Sequence, residues 1–272
     1  SYALARLGVP VRLFGKVGRD APGEFLLRKL RAAGVDTRFI GVSTAPTTRT
    51  VCLVQSSGNR SLLHQPGASR DVAPDLIFDS GAASHFHLAN PFALPKVRPA
   101  AGALLERAKR AGLTTSMDTG WDSQGRWMAD VAPCLPHVDL LFVNESELRM
   151  LTGMPNPGEA VAELRRQGAA DVVVKLGDVG SLVFAGGMEH RTPAFRVPAI
   201  DTTGAGDCFT AGFLAAIHRS RSYREAAAFA NAVGALSVQS LGSVGGLLGF
   251  EETEDWIDQE WMRRVTRQTR VE

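Results

Sequence analysis

This sequence predicts an α/β fold built on a mostly parallel sheet, and three observations carry the prediction. From about residue 84 onward, short β-branched or apolar runs alternate with longer stretches of helical period. The intervening helical stretches are amphipathic and are followed by glycine. The C-terminal third carries apolar residues at helical spacing with few breakers, which predicts two packed helices there.

The predicted strands are His85 to Leu88, Leu113 to Met117, Leu140 to Val143, Val172 to Lys175 and Ser181 to Phe184. Between them, Arg98 to Arg110 and Glu159 to Gln167 read as crossover helices. From Asp207 to about Ser240, Phe209, Phe213, Leu214 and Ile217 form one stripe, and Ala227, Ala230, Val233 and Leu236 a second. The early segment differs: Thr50 to Gln55, the turn Ser56-Ser57-Gly58-Asn59 and Arg60 to His64 read as a hairpin outside the parallel sheet. Its alternation implies one apolar face that a lone hairpin could not bury, which predicts a lid over a ligand or a homodimer contact. No repeat, low-complexity tract or linker appears, so residues 1–272 are expected to form one domain with 48–64 as its β appendage.

The 272 residues are 44% hydrophobic and 21% charged, which excludes collagen-like, disordered and coiled-coil chains. Thirty basic against 28 acidic side chains leave a net charge of +2, which argues against nucleic acid or an anionic membrane as partner and for a small substrate. No apolar run approaches the roughly 20 residues that cross a bilayer, and Ser1 to Arg6 lack a secretory pattern, so a cytoplasmic protein is expected. Cys52, Cys134 and Cys208 suit neither disulfides nor a zinc site and read as small buried hydrophobes.

The densest chemical signal is Asp201-Thr202-Thr203-Gly204-Ala205-Gly206-Asp207, running into a helical pattern that starts at Cys208. Two glycines and an alanine leave backbone N–H groups unshielded at a helix N-terminus, an arrangement that attracts phosphate or a developing oxyanion. Asp207 beside such a hole can decorate the helix start or take a proton from an attacking hydroxyl. Other templates fail: Val17 after Gly15-Lys16 breaks the P-loop pattern, and no dinucleotide fingerprint, zincin motif or hydrolase elbow is present. His85 and His87 alternate on one strand but lack a third metal ligand, so they read as packing or substrate-side residues.

Asp201 to Asp207, with Phe209, Gly212 and Phe213, resembles the C-terminal signature of the ribokinase-like (PfkB) carbohydrate kinases. Gly15-Lys16-Val17-Gly18-Arg19-Asp20-Ala21-Pro22-Gly23 resembles the family's G-x-V-G-x-D-x-x-G stretch, Asn144 to Glu147 its N-x-x-E motif, and Lys175-Leu176-Gly177 its nucleotide strand. The resemblance implies a three-layer αβα domain with a β-hairpin lid and transfer of the ATP γ-phosphoryl group to a hydroxyl of a small sugar or sugar acid. It implies Asp207 as base, with Gly204, Ala205 and Gly206 stabilising transition-state charge. Asn144 and Glu147 would act near the phosphates, Glu147 holding Mg²⁺ through water; as a capping pair they equally read as a helix start. Lys175, Gly177 and Asn231 match nucleotide-side positions. For a monovalent cation, K⁺ among them, the resemblance implies the Asp201 carboxylate and the Thr203 carbonyl, completed by carbonyls of Ser237, Ser240, Gly242 and Gly246. A nucleoside kinase and a non-catalytic ligand-binding relative are the alternatives.

Ser1 to Gly8 resembles the tail of the family's first helix, so the family's first strand, its substrate-binding Asp and its G-G-x-x-x-N segment are not among these residues. Thr47-Thr48-Arg49-Thr50 and Met117 to Asp122 resemble fructokinase-like or 2-keto-3-deoxygluconate-kinase-like members more than ribokinases. Arg49 could meet a carboxylate or phosphate of the acceptor, and Asn90, after His85-Phe86-His87-Leu88-Ala89, is the acceptor-side residue expected from its position.

Overall fold

The computed structural model describes residues 1–55, 60–76 and 81–268. They form two compact units, one of Arg12–Asp139 and one of Ser1–Val11 with the chain from Leu140 onward. A short helix, α1 (Tyr2–Arg6), opens the latter before the chain passes through Arg12–Asp139.

In that unit β1 (Gly15–Gly18) and β2 (Ile40–Ser43) pair in parallel, with α2 (Ala21–Ala32) between them in sequence. Asp20 starts α2 by accepting the Gly23 N–H at 3.0 Å, and Pro22 fits its first turn, where no N–H is needed. Next come β3 (Arg49–Val54) and β4 (Arg60–Gln65), antiparallel, with Val51 opposite Leu63 and Cys52 opposite Leu62. The predicted turn at 56–59 lies outside the described residues. Thr48 ties the base of the hairpin, its hydroxyl donating to the Pro66 carbonyl and lying 2.6 Å from the Ser69 hydroxyl. Then β5 (His85–Ala89) and β6 (Thr114–Asp118) pair in parallel across α3 (Ala101–Arg110), which buries Leu104, Leu105 and Ala108. One turn, α4 (Met128–Val131), follows.

The hairpin departs from expectation. Every described side chain of β3 is exposed, and apolar residues lie on both faces: Val51, Leu53 and Leu63 on one, Cys52, Val54 and Leu62 on the other. Cys52 is therefore exposed rather than a core residue, because a two-stranded ribbon has no second layer to cover it. Cys134 and Cys208 are buried as predicted, and burial pushes their thiols up to about 12 and about 11.

The chain returns through β7 (Leu140–Asn144), α5 (Glu145–Thr152), α6 (Pro157–Arg166), β8 (Asp171–Lys175), β9 (Gly180–Ala185), β10 (Met188–Pro193), α7 (Ala205–His218), α8 (Tyr223–Ser237) and α9 (Phe250–Gln268). These strands stand in the order β10-β9-β8-β7. β7 and β8 are parallel, and Leu140 to Val143 and Val172 to Val174 are fully buried, as continuous apolar strands covered on both faces must be. β9 and β10 are antiparallel to their neighbours. Only residues 176–179 separate β8 from β9, too few for a crossover, so the strand reverses. The core joins Phe142 of β7 edge-on to Phe213 of α7 at 5.5 Å and stacks Phe229 of α8 on Phe250 of α9 at 4.2 Å. Among the described residues no helix is long and apolar enough to cross a membrane.

Candidate active site

The helix after Asp201 begins at Ala205, three residues before the predicted start, so Asp207 sits within its first turn rather than ahead of it. Gly204 takes the N-cap position at φ +77°, in the left-handed region, and a β-carbon there would lie 2.5 Å from Ser243 Cβ. Having no side chain, it cannot cap the helix. In contrast, α2, α5, α6 and α8 are capped by Asp20, Asn144, Asn156 and Ser222. The start of α7 thus presents the N–H side of its first turn beside an exposed carboxylate, Asp207.

Lys175, at the end of β8, brings a cation to the same place: a β-carbon on Gly206 would sit 3.6 Å from Lys175 Nζ. An ammonium and a helix N-terminus both favour phosphate oxygens, and a nearby carboxylate favours a hydroxyl proton. Gly177 follows at φ +61° in the turn that reverses the chain into β9.

Asp201 organises the approach to α7. Its carboxylate accepts the Thr203 N–H at 2.9 Å and the Gly242 N–H at 3.0 Å, so three residues of the expected cation set meet. Ser237 is buried, its hydroxyl donating to the Gly234 carbonyl, and Gly246 packs against the Leu236 carbonyl. Ser240 lies beside Gly245. Among the described residues no group of three His, Cys, Asp or Glu side chains could hold a metal, so a cation here would rely on the Asp201 carboxylate with main-chain oxygens, phosphate or water.

Three residues expected at the nucleotide have structural partners. Asn144 and Glu147 form a reciprocal capping box at the start of α5, Asn144 Oδ1 accepting the Glu147 N–H and Glu147 Oε2 the Asn144 N–H, both at 2.8 Å. Asn231, on α8, donates through Nδ2 to the carbonyls of Thr192 and Pro193 and so fixes the end of β10.

In the other unit, the Gly15–Gly23 stretch is a clamp. Asp20 accepts the Thr47 N–H at 2.9 Å and the Thr47 hydroxyl at 2.5 Å, while Thr47 Oγ1 accepts the Gly18 N–H at 2.9 Å. The Thr47 hydroxyl, then its N–H, hold the Asp20 carboxyl below the usual carboxylate range. Thr47 was not singled out as a site residue by the sequence; the Thr47-Thr48 pair before a strand is the signal that marks it. Arg49 donates to Gln65 Oε1 across the hairpin at 2.7 Å. His85 Nε2 and His87 Nδ1 both lie 2.7 Å from the buried Ser116 hydroxyl, which gives these imidazoles a packing role on β5. Asn90 stands exposed just past β5, its N–H donating to the Asp118 carbonyl at 2.8 Å.

The family model described as pfkB family carbohydrate kinase matches residues 1–247. The chain belongs to that family. It is 32% identical to a ribokinase from Arabidopsis thaliana over 88% of this chain and 65% of that protein. It is 34% identical to an ATP-dependent ribose-1-phosphate kinase from Halopiger xanaduensis over 86% of this chain and 76% of that protein. The solved structure of an Arabidopsis thaliana ribokinase complexed with ribose and ATP matches at a TM-score of 0.81 and 28% identity, covering 94% of this chain and 84% of that one. The fold is accordingly the ribokinase-like α/β fold with a mostly parallel sheet.

Proposed function

We propose that this chain transfers the γ-phosphoryl group of ATP to a hydroxyl of a small sugar. The observation that carries the proposal is the start of α7, where an uncapped helix N-terminus, the Asp207 carboxylate and the Lys175 ammonium occur together. Ribokinase, ribose-1-phosphate kinase and fructokinase among the relatives support the sugar as acceptor class.

In this reading Asp207 accepts the proton of the acceptor hydroxyl as its oxygen attacks phosphorus, and the bond from phosphorus to the ADP oxygen breaks. The N–H groups of Gly204 and Gly206 stabilise the oxygens on which negative charge develops, the Ala205 N–H joins them by giving up its long 3.3 Å bond to the Thr202 carbonyl, and Lys175 offsets charge on the phosphate chain. Mg²⁺, which screens phosphate charge when bound, fits Glu147 through water, since Glu147 Oε2 is already turned back to the Asn144 N–H. Asp201, Thr203, Ser237, Ser240, Gly242 and Gly246 offer only oxygen donors, the set a hard monovalent cation such as K⁺ takes. In the same reading Gly177 and Asn231 belong to the nucleotide side and Asn90 to the acceptor side, with Arg49, which donates to Gln65 across the hairpin, at the lid entrance rather than on an acceptor charge.

The same proposal treats residues 1–272 as one kinase domain, with 48–64 as a lid that also pairs two copies, working in the cytoplasm. An ADP-release assay over ribose, ribose-1-phosphate, fructose, 2-dehydro-3-deoxygluconate and nucleosides tests it. Magnesium-dependent turnover on a sugar is the expected result. Turnover confined to nucleosides would reassign the acceptor, and nucleotide binding with no turnover on any of them would contradict the enzyme reading.

A further inference from the structure

Past the ends of β5 and β6 the chain builds a small platform. Asn90 adopts φ 45°, ψ 63°, a left-handed conformation that costs most side chains about 1 kcal/mol or more and that asparagine tolerates best. Its side chain does not cap the turn that follows. It lies against Gly120, where a β-carbon would come within 2.6 Å of Asn90 Oδ1, and Gly120 is itself at φ +67°. Glycine at 120 thus leaves the space in which the Asn90 amide stands.

The next residue, Trp121, is 59% exposed, yet one edge of its ring is packed. Its ring meets Trp127 edge-on at 4.9 Å, Trp127 meets Phe92 edge-on at 5.9 Å, and the Arg98 guanidinium lies over Phe92 at 4.8 Å. Arg98 in turn grips Asp122, the neighbour of Trp121, through two bonds of 2.8 and 2.9 Å, and Asp122 also accepts the N–H groups of Gln124, Arg126 and Trp127. Trp127 is held at φ 38°, a strained angle for so bulky a residue. An exposed indole gains nothing from water, and a rigid one loses little entropy when a flat apolar surface covers it.

The charges of the cluster around Asp122 cancel. Arg98 pairs with Asp122 and Asp130, and Arg126 pairs with Asp130, so two cations answer two carboxylates. A carboxylated or phosphorylated acceptor finds no unmatched cation among these groups.

We infer that Asn90 and Trp121 form an acceptor platform for a neutral sugar, the C–H face of the ring lying on the Trp121 indole and a ring hydroxyl meeting the Asn90 amide. The inference rests on the sugar-kinase reading and narrows it, favouring an uncharged acceptor over a sugar acid or a sugar phosphate. Trp121 is then the residue that sets specificity, and Gly120 the one that positions Asn90.

The test compares wild type, Trp121→Ala and Trp121→Phe in the full chain, reading KM for the best sugar, KM for ATP, kcat and thermal stability, with calorimetric sugar binding in parallel. Trp121→Ala should raise the sugar KM and Kd about five- to tenfold, with ATP KM and melting temperature near wild type, and Trp121→Phe should recover most of the loss. An unchanged sugar KM in an active Trp121→Ala enzyme overturns the inference and leaves the kinase reading standing. So does a wild-type enzyme that turns over only a sugar acid, sugar phosphate or nucleoside. A wild-type chain that neither binds nor phosphorylates any sugar overturns both.

Discussion

Lys175 Nζ stands 3.6 Å from where a β-carbon on Gly206 would be, so a strand end and a helix start deliver two positive features to one spot. If that spot holds phosphate, Lys175→Met should weaken ATP binding about tenfold, the effect of losing one charge-assisted contact, while leaving the sugar KM nearly unchanged. Titrating ATP at saturating sugar reads this out. Equal affinity in the variant would place the phosphates elsewhere.

A side chain at Gly204 cannot be accommodated without movement, because φ is +77° and Ser243 Cβ would be 2.5 Å from the new atom. Gly204→Ala should therefore cost about 1–3 kcal/mol of stability and distort the approach to α7. Denaturant melts with unchanged slope and a lower midpoint are expected.

Arg98 is fully enclosed with Asp122, and breaking such a pair from one side strands a buried charge. Arg98→Met should destabilise the protein by about 3–5 kcal/mol. The pH dependence has a definite sign. Burial alone would raise the Asp122 carboxyl, but the Arg98 fork and three backbone N–H groups hold it down at about 2. Its folded value lies below the unfolded one, so its contribution of about 2 kcal/mol is complete at neutral pH and is lost as pH falls from about 4 through about 2. Asp122→Asn should flatten that part of the stability profile.

The β3–β4 ribbon exposes Val51, Leu53 and Leu63 on one face and Val54 and Leu62 on the other. If it pairs two copies, light scattering at micromolar concentration should give a dimer, and Val51→Lys with Leu63→Lys should convert it to a monomer. A wild-type monomer, with or without substrate, would contradict the pairing.

The buried strands β7 and β8 were legible because both faces are covered, which leaves an uninterrupted apolar run for the sequence to show. β10, written Met188-Glu189-His190-Arg191-Thr192-Pro193, has no such run; only its register with β9 makes it a strand. The Gly204–Asp207 motif was legible because glycine, alanine and aspartate act locally, although the helix takes it in and starts at Ala205 rather than at Cys208. The Asn144–Glu147 capping pair was legible from its spacing and forms at the start of α5, whereas the bond from Asn231 to the end of β10 joins residues 38 and 39 positions apart that no local pattern links. The Arg98–Asp122 pair spans 24 positions in sequence, and no spacing rule marks it. Gly120, Trp121 and Asp122 are a short string of letters until the fold sets Asn90 against the first and Arg98 against the last.

The central claim is that Asp207 takes the acceptor proton, and Asp207→Asn tests it most directly. Asparagine keeps the shape and suits a helix start about as well as aspartate, but cannot accept that proton. On the sugar the wild-type enzyme uses best, kcat should fall by roughly 10²-fold or more with ATP affinity little changed. A wild-type rate in the folded variant would contradict the mechanism.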